Sequence, residues 1–590
     1  MLEPRFRWVF PASMTVDPTH VAAGERLGVP ARVTTLLAAR GVTTESDLAA
    51  FFGPPEAALH DPSLLPDAAP FVDRIAAARR GGESVLVFGD FDADGLTGLA
   101  ILILALRALG VDARPYVPSR LEEGHGLSLA AVETAAATGI RVIVTVDCGT
   151  TSVAEVAAAN ARGIDVLVTD HHRVPAVLPA ALAVVNPQRA DSSYPDRRLA
   201  GSGVAFKLAQ LLLSTEPGGA EAALDLADLA AIGTVADVAP VLGENRAIAR
   251  IGLDRLRRGA RPGLAALLAR GGIDPKSADL ETVSFAIAPR LNAAGRVGEA
   301  LDAAKLLLAA DPAEAAALAD RLEAANKTRR DLTKGAIDEA RIVVGAAGDA
   351  DSGVTIVRGD WPVGIVGLVA SRLVDDLGRP AIVGANIGST VRASCRSDGS
   401  IDLGAALEAC HDLFTRYGGH AGAAGFELPA DRWDAFRTRF ELLVESASPT
   451  DRRPVLALDL ALAASEVDYA LHRDLLRVGP CGPGNPDPVV AILGLTVTRV
   501  RAATGGHTQL TLRRVRDVLD AIAFDRADLA ESVVVGDLVD VVGRLASRRF
   551  GGLESLQIEI RDVARAGAHA DAAAILDSGA PGAVAVAVAS

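Results

Sequence analysis

Ser84-Val-Leu-Val-Phe-Gly-Asp-Phe-Asp-Ala-Asp-Gly95 decides the fold class. Its apolar, β-rich first half, Ser84 to Gly89, reads as a short strand. An acidic loop follows, and the next residues predict an apolar helix from about Thr97. The same plan returns downstream. Arg141-Val-Ile-Val-Thr-Val146 ends in Asp147-Cys148-Gly149, and Ile164-Asp-Val-Leu-Val-Thr169 ends in Asp170-His171-His172. Near-continuous apolar strands alternating with helical stretches predict α/β architecture, a parallel sheet with helices on both faces. Ligands of such sheets bind beyond the carboxyl ends of the strands, and each polar cluster just quoted sits at one of those ends.

Composition bounds the rest. A chain of 590 residues is too long for one ordinary domain and suggests three or four. Half its residues are apolar and 23% are charged, so it can bury large cores. The formal net charge of −15 excludes a globally basic nucleic-acid coat and leaves room for a local basic groove. Cys148, Cys395, Cys410 and Cys481 lie far apart and form no C-x-x-C pair, which argues against a disulfide scaffold or a zinc knuckle. The opening MLEPRFRWVF shows no secretory pattern, and the longest apolar run, Leu99 to Leu106, is far below the ~20 residues of a membrane span. The expectation is a soluble, cytoplasmic protein without a membrane partner.

The first 60 or so residues show helical periodicity and no chemistry. Residues 303–342 are rich in Ala, Glu, Leu and Arg, with no Gly or Pro between Ala313 and Lys334, and predict one or more long connecting helices. A second α/β region covers roughly Gly353 to Leu443. After Ser446-Ala-Ser-Pro-Thr450, short strands are predicted at 495–500, 509–512, 518–523, 537–542 and 556–560, which suggests a small barrel such as an OB-fold. The Ala- and Gly-rich tail from Gly567 carries no assignable function.

Asp90, Asp92 and Asp94 would project to one side of an extended segment, and three converging carboxylates repel one another unless a cation sits among them. A calcium loop also opens D-x-D-x-D-G, but its twelfth position here is Ile101 rather than glutamate, and a strand precedes it where a helix should. Asp147, His171, His172 and Asp237 (in Ala231-Ile-Gly-Thr-Val-Ala-Asp237) supply further carboxylates and two imidazoles. A mixed oxygen and imidazole set without thiolate favours Mn²⁺ or Mg²⁺ over structural zinc. Two such ions ~3.5–4 Å apart suit in-line attack on phosphorus, so phosphoester or phosphoanhydride hydrolysis is the natural reaction class.

The ordered set D-x-D-x-D-G, V-D-C-G, D-H-H and V-A-D resembles the motifs of the DHH phosphoesterase superfamily, and within it the chain is similar to the RecJ-type single-strand-specific exonuclease family. Leu199–Lys207, Ala288–Arg296, Trp361–Arg372, Gly418–Gly425 and Val478–Pro486 agree with that family, and the match spans about Arg7 to Val563. The resemblance implies an N-terminal helical segment (1–60), a catalytic core (61–300), a connecting helix (301–345), an associated α/β domain (346–448), an OB-fold (449–565) and a tail (566–590). It implies Asp90, Asp92, Asp94, Asp147, His171 and Asp237 as ligands of two Mn²⁺ or Mg²⁺ ions, with His172 beside the scissile phosphate. Relatives outside this branch often open the first motif with histidine where this chain has Asp90.

By the same resemblance, Arg120, Arg296, Ser394 and Arg396 look like phosphate contacts, read as loop or turn residues, and Gly419 and His420 belong to a glycine-rich stretch able to approach phosphate. In the barrel, ten arginines balance ten acids between Arg499 and Asp562. Strand binding there would need Arg513, Arg514, Arg548 and Arg549 on one face, with Phe550 as a stacking platform. The expected activity is 5′→3′ hydrolysis of single-stranded DNA to 5′-mononucleotides in repair and recombination. The expected enzyme is a monomer whose partners include a single-strand-binding protein and a helicase. An enzyme of small substrates (oligoribonucleotides, cyclic dinucleotides or pyrophosphate) would need no barrel, and a metal-free scaffold would not keep every ligand position.

Overall fold

The computed structural model describes residues 2–10, 17–120, 123–346, 353–447, 453–550 and 553–567. They cluster in two units, one spanning Ala58–Arg452 and one that joins Met1–Ala57 to the chain from Arg453 onward.

In the larger unit, strands β1 (Val85–Gly89), β2 (Ala113–Tyr116), β3 (Val142–Val146), β4 (Asp165–Thr169) and β5 (Ala183–Val185) form one parallel sheet in the order β2-β1-β3-β4-β5. Every side chain of β1 and β3 is buried, because parallel strands are covered on both faces. Alternation divides them: Val85 and Val87 join a core with Leu96, Leu99 and Ile103, whereas Leu86 and Phe88 join another with Ala131, Val132 and Val156. Helices α1 (Ala93–Ala108), α2 (Gly201–Leu213) and α3 (Ala227–Ala236) pack together on the first of these faces.

Helix α1 starts at Ala93, ahead of the expected Thr97. Asp92 Oδ1 accepts the N–H groups of Asp94 and Gly95 at 3.0 and 3.1 Å and so caps the helix. Asp94 therefore lies in a helical turn, and the extended register expected for Asp90, Asp92 and Asp94 does not hold. Their carboxylates converge instead from a strand end, a helix cap and a first turn.

Arg296 is also helical, on α4 (Ala288–Val297), rather than in a turn. The alanine-rich linker is two helices, α5 (Ala300–Leu308) and α6 (Pro312–Ala346), separated where Asp311 accepts the Glu314 N–H and Pro312 opens the second. The following sheet has strands β6 (Thr355–Gly359), β7 (Ala381–Ile387), β8 (Thr390–Arg396), β9 (Arg416–Gly419) and β10 (Ala423–Pro429) in the order β9-β10-β8-β7-β6. Ser394 and Arg396 are on β8, not in a loop. They share its less buried face while Cys395 points into the core.

In the second unit all five expected barrel strands are present and longer, as β12 (Val490–Ala503), β13 (His507–Arg514), β14 (Asp517–Ala523), β15 (Leu538–Phe550) and β16 (Leu553–Arg565), with β11 (Leu460–Leu462) added. The order β11-β12-β13-β14-β16-β15 closes on itself because β15 also pairs with β12. The N-terminal segment packs against this barrel. Arg7–Val9 pairs in parallel with Val455–Ala457, and Trp8 Nε1 donates to Asp562 at 2.8 Å. Arg513 and Arg514 are neighbours on one strand and so point to opposite faces, and Arg514 donates to the Leu493 carbonyl at 2.6 Å. Arg513 and Arg514 therefore do not share the one face that strand binding by these arginines would need. The side chains of Arg549 and Phe550, and the tail beyond Gly567, lie outside the described residues. Among the described residues no helix is long and apolar enough to cross a membrane.

Candidate metal centre

The strand ends deliver the site. Asp90 follows β1, Asp147 follows β3, and Asp170, His171 and His172 follow β4. Asp237 caps the carboxyl end of α3. Candidate ligand atoms fall into three overlapping groups, each within 4.8 Å: Asp90, Asp92 and Asp147; Asp147, His171 and His172; Asp94, His171 and Asp237. Asp147 and His171 are common to two groups each and form the middle of the cluster.

Asp147 is held in the left-handed region at φ 62°, where Asp is among the better-tolerated residues. Its Oδ1 lies 3.0 Å from His171 Nε2, yet the two are not aligned to hydrogen-bond, and neither buried atom has another hydrogen-bond partner. Buried polar atoms are ordinarily satisfied. Two orphaned donor atoms facing one space among carboxylates fit a divalent cation of Mn²⁺ or Mg²⁺ character. The charges agree. Burial and then the Asp94, Asp92 and Asp90 carboxylates push Asp147 well above the usual range. Burial and then Asp90 and Asp94 raise Asp92 to about 6, and burial and then Asp94 and Asp92 raise Asp237 to about 8.

The surrounding residues aim these groups. Asp94 accepts the Gly201 and Ser202 N–H groups at 2.7 and 2.9 Å. A Cβ on Gly201 would stand 2.6 Å from that of Asp147, and one on Gly233 would stand 2.5 Å from Asp94 Oδ1. Both positions therefore need glycine for space. Asp170, included in the D-H-H reading, belongs to none of the three ligand groups. It accepts from Thr150 N at 3.0 Å and lies 2.8 Å from His172 Nδ1. Burial would raise it, but the His172 and Thr150 bonds outweigh burial and hold it below the usual range. That bond raises His172 to about 9, against burial. His171, by contrast, is lowered by burial, which suits a neutral ligand.

A cleft of about 430 Å³ is lined by Arg120, Arg296, Ser394 and Arg396, with His125 and Arg392. Arg396 donates to Ser394 Oγ at 3.0 Å, and the Arg120 guanidinium lies 4.9 Å over the Phe91 ring. Burial lowers all three arginines, and Arg296, also facing Arg120, Arg329 and Arg396, falls to about 10. Partly desolvated guanidiniums facing one another fit an anionic ligand. Gly419 and His420 do not join them. They sit at the β9–β10 turn, where His420 N donates to Ala423 O at 2.8 Å. Gly419, at φ 144°, has no room for a Cβ beside Ala424. Packing of the hairpin accounts for that glycine.

Two contributors were missed in the sequence. His125 Nδ1 lies 3.2 Å from Asp90 Oδ2, and Asn292 Oδ1 accepts Ala93 N–H at 2.7 Å, tying α4 to the acidic loop. Asn292 lies within Ala288–Arg296, but His125 stands alone between glycines, without a spacing signal.

Residues 84–234 match the model of the DHH family N-terminal domain, 351–446 that of the DHHA1 domain and 458–562 that of the RecJ OB domain. Over 570 residues the chain is 35% identical to the single-stranded-DNA-specific exonuclease RecJ of Bacillus subtilis, covering 96% of this chain and 71% of that protein. Over 518 residues it is 36% identical to the Escherichia coli protein of the same name, covering 83% and 89%. The crystal structure of Thermus thermophilus RecJ in complex with Mn²⁺ superposes with a TM-score of 0.81 at 31% identity, over 96% of this chain and 80% of that one. Its Mg²⁺ complex gives 0.75 at 30% identity.

Proposed function

Because the chain belongs to the RecJ family of single-stranded-DNA-specific exonucleases, we propose that it degrades single-stranded DNA from the 5′ end to 5′-mononucleotides, in DNA repair and recombination. The observation that carries the chemistry is the orphaned pair Asp147 Oδ1 and His171 Nε2 at the centre of the carboxylate cluster.

Asp90, Asp92 and Asp147 would hold one divalent ion, and Asp94, His171 and Asp237 the second, with Asp147 and His171 shared between neighbouring groups. Bound there, the ions supply a water nucleophile of lowered pKa and neutralise charge building on phosphorus. The chain's own groups do the rest. The Gly201 and Ser202 N–H groups fix the Asp94 carboxylate. Asp170 keeps the His172 imidazole charged beside the cluster, where it stabilises negative charge. Arg120, Arg396 and Ser394 would bind the terminal 5′-phosphate, with Arg296 behind them. Hydrolysis breaks the bond from phosphorus to the 3′-oxygen of the terminal nucleotide and leaves a new 5′-phosphate on the shortened strand. A cleft of about 430 Å³, with walls from both the catalytic core and the associated domain, has room for a nucleotide.

The reading extends to a monomeric, cytoplasmic enzyme working with a single-strand-binding protein and a helicase. Calorimetric titration with Mn²⁺, followed by chromatography of the products of a single strand, tests it. Two bound ions and 5′-mononucleotides are expected. Failure to bind Mn²⁺, or release of oligonucleotides alone, overturns it.

A further inference from the structure

The acidic cluster has two ends. Asp90 touches His125, which also lines the arginine cleft. At the far end of the ligand series, His171 and Asp237 line a second cleft of about 500 Å³, completed by Arg197, Leu199, Val238 and Pro240. A strand whose terminal nucleotide occupies the arginine cleft, with its 3′ phosphate on the ions, meets this second cleft when it continues past His171 and Asp237.

Val238 is unusual there. It follows Asp237 directly, sits at φ 60° and is 65% exposed. A β-branched residue rarely adopts the left-handed region, and an apolar side chain held outward in that conformation packs no core. Arg197 lines the same cleft, with one guanidinium nitrogen on the Ser192 carbonyl at 2.8 Å and, among the described residues, no partner for its other donors. The accessible apolar side chains of Val238 and Pro240 next to a guanidinium match a nucleotide: a sugar or base face beside a phosphate.

We infer that this cleft binds the nucleotide on the 3′ side of the scissile phosphate, with Val238 as its apolar contact and Arg197 on the following phosphate. The inference rests on the exonuclease reading and adds the residues that hold the downstream strand.

Val238→Gly and Val238→Asn test it, since glycine and asparagine both accept the left-handed backbone. Removing a strained, exposed side chain should leave the melting temperature unchanged or higher. The KM for a single-stranded oligonucleotide should rise roughly fivefold, the worth of a partly buried Val contact, while kcat moves by less than about twofold. A nucleoside 3′,5′-bisphosphate, which reaches the arginine cleft and the ions but has no downstream sugar or base, serves as a competitive inhibitor. Its inhibition constant should stay the same. Unchanged KM in both variants overturns the inference. So does an equal weakening of oligonucleotide and bisphosphate, which would mean that only the metal centre had been disturbed. If wild-type protein cleaves no single strand, the exonuclease reading itself fails, and that result is distinct from both.

Discussion

Replacing Asp147 by asparagine separates charge from geometry at the middle of the cluster. Alanine is the poorer choice, because the position has φ 62° and a left-handed alanine costs about 1–2 kcal/mol, whereas asparagine enters that region readily. The buried carboxylate has an oxygen without a hydrogen-bond partner, and the Asp94, Asp92, Asp90 and Asp170 carboxylates all disfavour its charge. Neutralising it should therefore leave the metal-free protein at least as stable as wild type. With metal the effect reverses. Mn²⁺ at a hundred times its dissociation constant stabilises wild type by about 2.7 kcal/mol, and most of that gain should vanish in the variant, since its oxygen serves two of the three ligand groups. Loss of a single supporting residue around a metal costs about 10–100-fold, so loss of a shared ligand charge should lower the hydrolytic rate by at least about a thousandfold, or ~4 kcal/mol. The assay pairs melting curves with and without Mn²⁺ with initial rates on a single-stranded oligonucleotide. A folded variant hydrolysing within tenfold of wild type would refute the assignment.

Proton release should accompany metal binding. Below about 8 Asp237 holds a proton in the metal-free protein, and below about 6 so does Asp92, so Mn²⁺ must displace them. Affinity should climb as pH rises from 6 to 8, and titration calorimetry in buffers of unlike ionisation enthalpy would show the released protons; a flat profile would contradict the raised carboxyls. Arg396→Ala should weaken binding of a 5′-phosphorylated strand relative to its 5′-hydroxyl counterpart by roughly tenfold or more, the worth of a charge-assisted hydrogen bond. Equal loss for both strands would move the 5′-phosphate elsewhere. Lys207 and Glu244 form a fully buried pair at 2.9 Å, with the Tyr194 hydroxyl donating to Glu244 at 2.6 Å. Lys207→Met should cost about 3–5 kcal/mol in denaturant unfolding by stranding the glutamate charge. Adding Glu244→Gln should recover part of that, and no recovery would show that packing rather than charge sets the cost.

Much of the core was legible because its signal is local. A strand buried on both faces must be apolar almost throughout, so Val85–Gly89, Val142–Val146 and Asp165–Thr169 stood out, and their ends located Asp90, Asp147 and His171. Local conformation was harder. Asp92 turns the chain into a helix through its own side chain, which period-two spacing cannot show, and Arg296, Ser394 and Arg396 reach the cleft from a helix and a strand. Contacts distant in sequence left no trace: His125 beside Asp90, Trp8 on Asp562, and the glycines at 201 and 233 that leave room for carboxylates more than fifty residues away along the chain. Gly419 shows the converse, a glycine-rich stretch whose spacing suggested phosphate but whose geometry serves its own hairpin.

The most direct test follows a single-stranded oligonucleotide labelled at its 3′ end, incubated with the enzyme and Mn²⁺ beside a matched blunt duplex. The label should pass through a ladder of ever shorter products as nucleotides leave the 5′ end, with the duplex spared. An intact single strand, release of the label as the first product, or equal digestion of the duplex would contradict the account.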